Sequence, residues 1–288
     1  MTGNPGYHRK VFGGTTVTAL SDGYLVLPNE ALQGMAPAEI GAMRDALFRG
    51  PQPRTSVNAF LVQSGGRTVL VDTGAGNKAR AMFPALGRLG DSMAAAGVSP
   101  DDVDAVVMTH LHIDHFGGLT GDDGAAAFPR AELVMSAAEA EYWLDEAKMA
   151  AAPDAAKPRF AGAQAAVAPY KDRMRTFAGT EAVLGLQPVP LPGHTPGHTG
   201  YLIEDGGTRL LIWGDVMHVP DVQAPRPEVT IGFDSDPPSA IASRRRALDM
   251  AVSERLMVTG MHLHFPGFAH VTRAGDGYAL VPELWLVD

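Results

Sequence analysis

Short apolar runs separated by glycine-rich turns recur along the chain, and they predict a succession of β-strands. In the first half, residues 57–63 and 67–72 are two such runs, and Ser64-Gly65-Gly66 between them indicates a β-hairpin. A third run, residues 105–109, is apolar almost throughout, as expected for a strand buried on both faces. In the second half, strands are predicted over residues 187–191, 201–204, 209–213 and 255–259.

Helical spacing appears between and after these runs. Leu86, Leu89 and Met93 recur at intervals of three and four residues, which predicts a helix over residues 86–96. Residues 239–253 are predicted to form a second helix.

The stretch between the two groups of strands is also predicted to be largely helical. Ser136 is followed three residues later by Glu139, the pattern of a capping box, so a helix is expected from there through Met149. Residues 150–180 are rich in Ala and Pro and are expected to form a partly helical flap over the site described below.

Two groups of strands with helices around them place the chain in the α/β class. The arrangement expected is two sheets packed face to face with helices on both outer faces, a four-layer α/β/β/α sandwich. Neither a low-complexity linker nor a short repeat divides residues 1–288, so a single domain is expected.

The composition is that of an ordinary globular protein, with 45% hydrophobic and 19% charged residues. A formal net charge of −9 argues against binding to nucleic acid or to an anionic membrane. The dense basic cluster at residues 244–246 falls in a predicted helix and is expected to form a solvated face. The N-terminal residues lack the apolar segment of a secretory signal, so a cytoplasmic location is expected, or a periplasmic one if a leader was removed.

The most distinctive chemistry follows the run at residues 105–109. His110-Leu-His112-Ile-Asp114-His115 brings three imidazoles and one carboxylate within six residues. Burying such groups without partners is unfavourable by several kcal/mol each. A divalent metal removes this penalty, since imidazole and carboxylate suit zinc and similar ions. Because the chain contains no cysteine, histidines and carboxylates would have to hold any metal.

Other predicted strands end in residues of the same kind, and ligand sites in α/β proteins gather outside strand ends. Asp72-Thr73-Gly74, the loop from Pro192 to His198, Gly214-Asp215 and His262 each follow an apolar run. The candidate metal ligands are His110, His112, Asp114, His115, His194, Asp215 and His262. They are too many for one four- or five-coordinate zinc and suit two ions about 3.5–4 Å apart that share a carboxylate and a water.

This set of motifs resembles that of the metallo-β-lactamase superfamily, and the resemblance covers essentially the whole chain. It implies the αββα sandwich expected above. It also implies a first metal held by His110, His112 and His194, a second held by Asp114, His115 and His262, and a bridging role for Asp215.

Within the superfamily, the chain most resembles the branch that contains methyl parathion hydrolase and dihydrocoumarin hydrolase-type lactonases. The segments that carry this likeness are residues 20–23, 142–144, 192–200, 234–236 and 262–267. In related chains the late ligand precedes Leu-x-Phe-Pro-Gly, which implies His262 rather than His264, although spacing alone leaves both open. Asp72 and His198 resemble residues that orient liganding imidazoles rather than bind metal.

The same resemblance implies an apolar substrate cavity lined by Trp143, Phe160, His218 and Phe233. Aromatic residues at such positions are also typical of a core, and for Trp143 the two interpretations are about equally favoured. Organophosphate-cleaving members carry smaller aliphatic side chains in place of His218 and Phe233, so this pair resembles the lactonase type. Met82 and Phe83 are candidates for covering the entrance.

We therefore expect a dinuclear metal hydrolase that opens lactones, either aromatic ones such as dihydrocoumarin or acyl-substituted ones. A water shared by two divalent ions loses a proton near neutral pH and supplies a nucleophile without a serine or cysteine. Asp114 is the candidate to pass a proton to the leaving group, and His218 to donate a hydrogen bond or proton to the substrate. Zinc is the expected metal, with iron, manganese and cobalt compatible, and the likeness to the branch implies a homodimer.

Three alternatives stay open at this point. Organophosphate triester hydrolysis would use the same nucleophile and is a candidate side activity. A di-iron oxidoreductase uses a similar ligand set but usually carries a flavodoxin-like domain, for which these 288 residues leave no room. A scaffold with purely structural ions is disfavoured by the number of ligands, since structural zinc sites are closed.

Overall fold

Two β-sheets lie at the centre of the computed structural model, which describes residues 4–284. The strands are β1 (Tyr7–Phe12), β2 (Thr15–Val26), β3 (Leu32–Gln33), β4 (Arg54–Ser64), β5 (Arg67–Val71), β6 (Ala105–Val107), β7 (Glu132–Ser136), β8 (Met174–Phe177), β9 (Gln187–Pro190), β10 (Thr199–Asp205), β11 (Thr208–Ile212), β12 (Thr230–Ile231), β13 (Met257–Thr259), β14 (Ala269–Ala274) and β15 (Gly277–Pro282). The α-helices are α1 (Pro37–Asp45), α2 (Leu89–Ala95), α3 (Ile113–Phe116), α4 (Ala137–Trp143), α5 (Glu146–Ala151), α6 (Lys157–Val167), α7 (Pro220–Gln223) and α8 (Pro237–Ser253). Short 3₁₀ helices occupy Asn29–Ala31, Asn77–Ala81, Pro100–Asp102, Gly117–Leu119 and Ala168–Arg173.

The first sheet runs in the order β1-β2-β4-β5-β6-β7-β8. Its strands pair antiparallel from β1 to β5 and parallel from β5 to β8. The second sheet runs in the order β15-β14-β13-β11-β10-β9 and is antiparallel except between β11 and β13. β12 and β3 form a small separate pair.

Alternation along the strands divides the core into layers. In β4, Phe60 and Val62 belong to an apolar cluster that also contains Ile212 of the second sheet. Leu61, between them, belongs instead to a cluster with helices α2, α4 and α6. On the second sheet, Leu211 packs in a cluster with α8. Successive side chains of a strand point to opposite faces, so each sheet contributes to two layers, and the predicted four-layer sandwich is confirmed.

The predicted hairpin and the helix predicted after it are both present, but their ends differ from those predicted. β4 and β5 pair antiparallel down to Ser64 opposite Arg67, which is the predicted hairpin. The helix predicted over residues 86–96 forms only between Leu89 and Ala95. Leu86 is nevertheless 1% exposed, because it packs as part of the preceding turn.

The helix predicted from Ser136 through Met149 is wrong in its length. α4 ends at Trp143, and the Asp145 carboxylate then accepts bonds from the N–H groups of residues 147 and 148, which starts a new helix. The capping box is only half formed. Ser136 Oγ accepts from the N–H of Glu139 at 3.2 Å, whereas the Glu139 carboxylate turns into the interior and bonds other partners.

Residues 150–180 are partly helical, as predicted. They contain the end of α5, helix α6, a 3₁₀ segment and strand β8. Phe160, Ala163 and Val167 of α6 pack in the apolar cluster on the outer face of the first sheet. The roles of this segment as a flap and of the chain as a single domain stay predictions.

The solvated face predicted for residues 244–246 is wrong for Arg244, which is 1% exposed. Its guanidinium donates to the carbonyls of Val216, Pro227 and Val229 at 2.6–2.9 Å. Arg245 points outward, because successive helical residues lie about 100° apart around the axis. Arg244 thus anchors the segment that follows β11.

Across residues 4–284, helices that combine the length and apolar character needed to span a bilayer are absent. Residues 1–3 of the N-terminal segment considered for a secretory signal lie outside the described residues.

Candidate metal centre

The first sheet supplies four of the predicted ligands from one short stretch. His110 and His112 follow β6, which is buried along its whole length. Asp114 and His115 lie on α3, a single helical turn that begins directly afterwards. The stretch stays at the sheet end because the N–H groups of Thr109 and Thr73 are held by the Asp72 side chain and the His115 carbonyl.

The second sheet supplies the remaining predicted ligands from three loops. His194 lies between β9 and β10, Asp215 follows β11, and His262 follows β13. These loops leave the same end of the sheet and meet the α3 region across the interface between the sheets. The structure therefore brings the seven candidate ligands named from the sequence into one cluster.

Imidazole nitrogens surround one oxygen of the Asp215 carboxylate. Asp114 lies at the edge of the cluster, with its Oδ2 at 3.5 Å from His262 Nε2. His112 Nδ1 lies 2.9 Å from His194 Nε2. The Nε2 atoms around Asp215 Oδ2 are those of His262 at 3.0 Å, His218 at 3.1 Å, His115 at 3.2 Å, His194 at 3.4 Å and His110 at 3.6 Å.

The donor atoms of this cluster fit divalent metal ions. Among the described residues, His110 Nε2, His115 Nε2 and Asp215 Oδ1 are buried without a hydrogen-bond partner. Unpartnered buried polar atoms are rare in folded proteins, and here they converge on one point. Ligand atoms within 4.8 Å of one another form the sets His110/His112/His194, Asp114/His115/His262, His110/His115/Asp215 and His194/Asp215/His218.

The electrostatics of the cluster also suit cations. Burial is the main cause that lowers the pKa of His110 well below its ordinary value, and the neighbouring His115 imidazole lowers it further. This ring is therefore neutral and can offer a lone pair. Burial alone would raise the pKa of Asp215, but the surrounding imidazoles hold it well below its ordinary value. Burial opposes charge on His194, yet hydrogen bonds to Asp215 and Asp234 raise the pKa of His194 to about 9.

The second nitrogen of each of several imidazoles is held by the protein. His115 Nδ1 donates to Asp72 at 2.7 Å, and His194 Nδ1 donates to Asp234 at 2.8 Å. His262 Nδ1 donates to the carbonyl of Ser56 at 2.7 Å. Such partners fix the orientation and tautomer of liganding histidines.

Asp72 and His198 lie where the resemblance implied, next to the cluster rather than within it. Asp72 has φ +59°, an uncommon conformation outside glycine, and its carboxylate also accepts from the N–H and hydroxyl of Thr109 at 2.7 and 2.6 Å. His198 donates to the Leu191 carbonyl and accepts from the N–H of Asp215, so both its nitrogens are already bonded.

The two late histidines are separated by the structure. His262 is 1% exposed and lies in the cluster. His264 Nε2 instead contacts the carboxylate of Asp221 at 3.1 Å. Of the two histidines, His262 is therefore the one that lies with the other candidate ligands, and its role as a ligand stays a prediction.

The proposed pocket residues lie on two sides of the cluster. The ring of Trp143 stands edge-on to His112 at 5.6 Å between centroids, and Phe160 packs behind it at 4.8 Å. Both rings are almost fully buried and also belong to the core. On the other side, His218 lies 6.4 Å from Phe233, whose side chain is 38% exposed.

Met82 and Phe83 follow a 3₁₀ turn and are both exposed. Their part in covering an entrance stays a prediction.

Sequence reasoning missed two carboxylates that contribute to the centre. Asp234 lies within a segment that carries the family likeness, but the sequence of that segment does not predict its bond to His194. Glu139 fits a capping box in the sequence, and that pattern gives no indication of its hydrogen bonds beside the cluster.

A match to one protein family covers most of the chain. Residues 52–262 match the model of the metallo-β-lactamase superfamily. The chain belongs to this superfamily. A crystal structure of the hydrolase AbOPH, also of the β-lactamase superfamily, is 31% identical and has a TM-score of 0.92, with 99% of this chain and 100% of that chain covered.

Two further relatives are lactonases. AidC, a dizinc quorum-quenching lactonase, has a TM-score of 0.90 at 24% identity, over 98% of this chain and 99% of that one, and this likeness shows the fold. An N-acyl homoserine lactonase from Bacillus cereus is 27% identical over 65% of this chain and 63% of its own length. The chain likewise covers 63% of YobT, an uncharacterized protein of Bacillus subtilis, at 27% identity. The prediction of a superfamily hydrolase is confirmed, whereas the branch within the superfamily stays a prediction.

Proposed function

We propose that this protein is a dinuclear metal hydrolase that opens lactone rings. The observation that carries the proposal is the convergence of buried imidazoles on one oxygen of Asp215, with the Nε2 atoms of His110 and His115 unpartnered among the described residues. Folding alone gives no reason to bury these two nitrogens, since each loses hydration without regaining a hydrogen bond.

The donor groups suggest how two ions would be held. One ion would take His110, His112 and His194, and the other Asp114, His115 and His262, because each set brings its ligand atoms within 4.8 Å. Asp215 would contact both. When bound, such ions supply an activated water and a Lewis acid for the substrate carbonyl. Zinc is the metal we propose, by likeness to the dizinc lactonase, with iron, manganese or cobalt as alternatives.

Asp114 and His218 are the groups we propose for handling protons and the substrate. The Asp114 side chain is 16% exposed against 2% for Asp215, so it is the cluster carboxylate with access to solvent and can pass a proton to the leaving oxygen. Burial, partly offset by Asp215, lowers the pKa of His218 to about 4. At neutral pH a neutral His218 acts as a hydrogen-bond partner rather than as a proton donor.

The substrate class is proposed from the relatives and from the aromatic side chains around the cluster. N-acyl homoserine lactonases recur among the relatives in sequence and in structure. Trp143 and Phe160 on one side and Phe233 on the other offer apolar contacts for an acyl chain or an aromatic ring. We propose an apolar lactone as the substrate, with dihydrocoumarin and acyl-substituted lactones as the first candidates, and a homodimer as the assembly.

The test is a substrate panel run with metal analysis on the same preparation. We expect about two transition-metal ions per chain, and kcat/KM values for dihydrocoumarin or N-hexanoyl homoserine lactone well above that for paraoxon. His110→Ala should reduce lactone hydrolysis by more than about a hundredfold, since losing a ligand exceeds the loss of a group that merely orients one. The matched control is His270→Ala, which removes an exposed histidine outside the cluster.

Each other result favours a different function. Faster hydrolysis of paraoxon than of either lactone would favour a phosphotriesterase. Bound iron with oxygen consumption and no hydrolysis would favour a redox enzyme. A preparation that contains no transition metal would overturn the proposal.

A further inference from the structure

Glu139 is a buried carboxylate that the proposed chemistry does not use. It lies on α4 and is 0% exposed. Charged carboxylates are almost never fully buried unless they are paired or extensively hydrogen-bonded. Among the described residues, its hydrogen-bond partners include no cation.

Four donors surround this carboxylate, two on each oxygen. Oε1 accepts from the N–H of Leu111 at 2.7 Å and from Nε1 of Trp143 at 2.8 Å. Oε2 accepts from the hydroxyl of Thr195 at 2.7 Å and from the N–H of Gly197 at 3.0 Å. Burial raises the pKa of Glu139 while these hydrogen bonds oppose the rise.

Three of the four donors belong to the two loops that carry the ligands proposed for the first ion, and the fourth, Trp143, lies on α4 itself. Leu111 lies between His110 and His112, in the loop that leaves the first sheet. Thr195 follows His194, in the loop that leaves the second sheet. One carboxylate therefore bonds both loops, which are more than 80 residues apart in the chain.

Close packing makes this link tight. A Cβ added at Gly197 would lie 2.1 Å from the Glu139 nitrogen, so the loop rests directly on the start of α4. The Ser136 hydroxyl donates to the Gly197 carbonyl at 2.8 Å from the same helix end. The bond to Trp143 also fixes the ring that stands edge-on to His112.

We propose that Glu139 is a positioning residue that sets the spacing of the two ligand loops, and thereby the affinity of the metal position formed by His110, His112 and His194. Through Trp143 it aligns the adjacent wall of the substrate site with the same ligands. This inference rests on the proposed dinuclear function.

The test is Glu139→Gln, which keeps the shape of the side chain but replaces one accepting oxygen by an N–H₂ group facing two donors. Stepwise cobalt binding by the intact protein is measured by chelator competition and by the visible absorption of the bound ion. We expect roughly 10–100-fold weaker binding at one of the two positions, with an altered spectrum for that ion. The other position should keep its affinity within about threefold, since its ligands do not touch Glu139.

Two further variants separate this role from a general effect on the fold. Glu141→Gln neutralises an exposed carboxylate on the same helix and should match the wild type in both affinities. Thr195→Val removes a single bond to Glu139 and should weaken one position by about three- to tenfold. If Glu139→Gln does not fold, the metal affinities of Thr195→Val test the positioning role instead.

The outcomes also distinguish this inference from the proposed function. If the wild type binds two ions and Glu139→Gln matches it in affinity and spectrum, the positioning role is refuted while the proposed function stands. An equal loss at both positions, with a lower melting temperature, would assign Glu139 to the fold alone and also refute the role. If the wild type binds no cobalt, both proposals fail.

Discussion

Gly214 shows how a single residue determines the position of the Asp215 carboxylate. Its φ is +60°, a conformation that other residues adopt only with strain. A Cβ at this position would lie 2.5 Å from His198 Nε2, the atom that accepts the Asp215 N–H. The glycine before Asp215 is therefore required by its surroundings as well as by its backbone.

Gly214→Ala should lower both stability and metal affinity. We expect the free energy of unfolding to fall by at least about 1 kcal/mol, because both the backbone and the His198 contact are strained. The measurement is urea unfolding together with a metal titration. The control is Gly207→Ala, at φ +77° with open space around its Cβ, which should destabilise the protein without weakening metal binding.

His218→Leu should reduce lactone hydrolysis while leaving two ions bound. His218 lies 3.1 Å from Asp215, and its other nitrogen is buried without a hydrogen-bond partner among the described residues, so it has a hydrogen bond to offer a substrate that reaches the site. Loss of one such hydrogen bond predicts a decrease in kcat/KM of roughly tenfold. Unchanged lactone kinetics at full metal content would remove His218 from the reaction.

At the scale of elements, the centre depends on loops that are fixed by groups from other parts of the chain. Asp234 follows β12 and holds His194, which follows β9, at a separation of 40 residues. Arg244 of α8 donates to carbonyls of the segment after β11 and of the segment before β12. Its guanidinium lies 4.0 Å from Asp234. The loop conformations are thus set by side chains of neighbouring elements.

Asp234→Asn should weaken metal binding by roughly 10–100-fold, because the amide holds the His194 ring less firmly than a carboxylate does. Asp236→Asn is the matched control. Asp236 caps α8 through the N–H of Ser239, and asparagine is an equally good cap, so affinity and stability should stay near wild type. Equal metal affinities for the two variants would contradict the role of Asp234.

α1 and α7 are joined by an ion pair that predicts a pH dependence. Arg44 NH1 lies 2.8 Å from Asp221 Oδ2, and the Arg44 side chain is 1% exposed. Burial would raise the pKa of Asp221, but His264 and Arg44 hold it below its ordinary value of 3.8. The pair therefore stabilises the fold above pH 3.8, and this contribution is lost as the pH falls through the lower pKa of the folded state.

Asp221→Asn should lower the free energy of unfolding at pH 7 by about 3 kcal/mol, because a buried guanidinium loses its counter-charge. The difference from wild type should shrink as the pH is lowered below about 4. Denaturant unfolding across this range measures it, and metal release affects both proteins alike. A difference independent of pH would contradict the ion pair as its source.

For the whole molecule, the centre joins the two sheets. Its candidate ligands come from loops at one end of both sheets, so bound ions would link the two halves of the sandwich across their interface. A ligand that binds only the folded state stabilises it, by about 2.7 kcal/mol at a concentration of 100 times its Kd.

Removing metal with a chelator should therefore lower the melting temperature by several degrees, and zinc should restore it. Differential scanning calorimetry of the same sample before and after chelation is the measurement. Asp215→Ala should show a much smaller difference between the two conditions. An identical melting temperature for loaded and chelated wild type would indicate that the ions do not join the sheets.

Local patterns in the sequence were sufficient to predict the layers and to name the side chains that the structure gathers into one cluster. Apolar runs of strand length predicted β4 to β6 and β9 to β11, and the block from His110 to His115 holds four donors within one turn of chain. These features depend on residues close together in the chain, and local backbone geometry sets the distances between such residues. Where spacing leaves His262 and His264 equally open, the family resemblance favours His262 as the candidate ligand.

Tertiary structure alone decided the partners of the ligands. The capping box around Ser136 and Glu139 is only half formed, because the Glu139 carboxylate instead accepts hydrogen bonds from three donors in distant segments and from Trp143. Arg244 of the basic stretch is likewise buried, because carbonyl groups of another loop lie against its face of α8 and accept its hydrogen bonds. A hydrogen bond between residues 28 to 56 positions apart leaves no periodicity in the chain, so only the folded arrangement of the sheets brings such groups together.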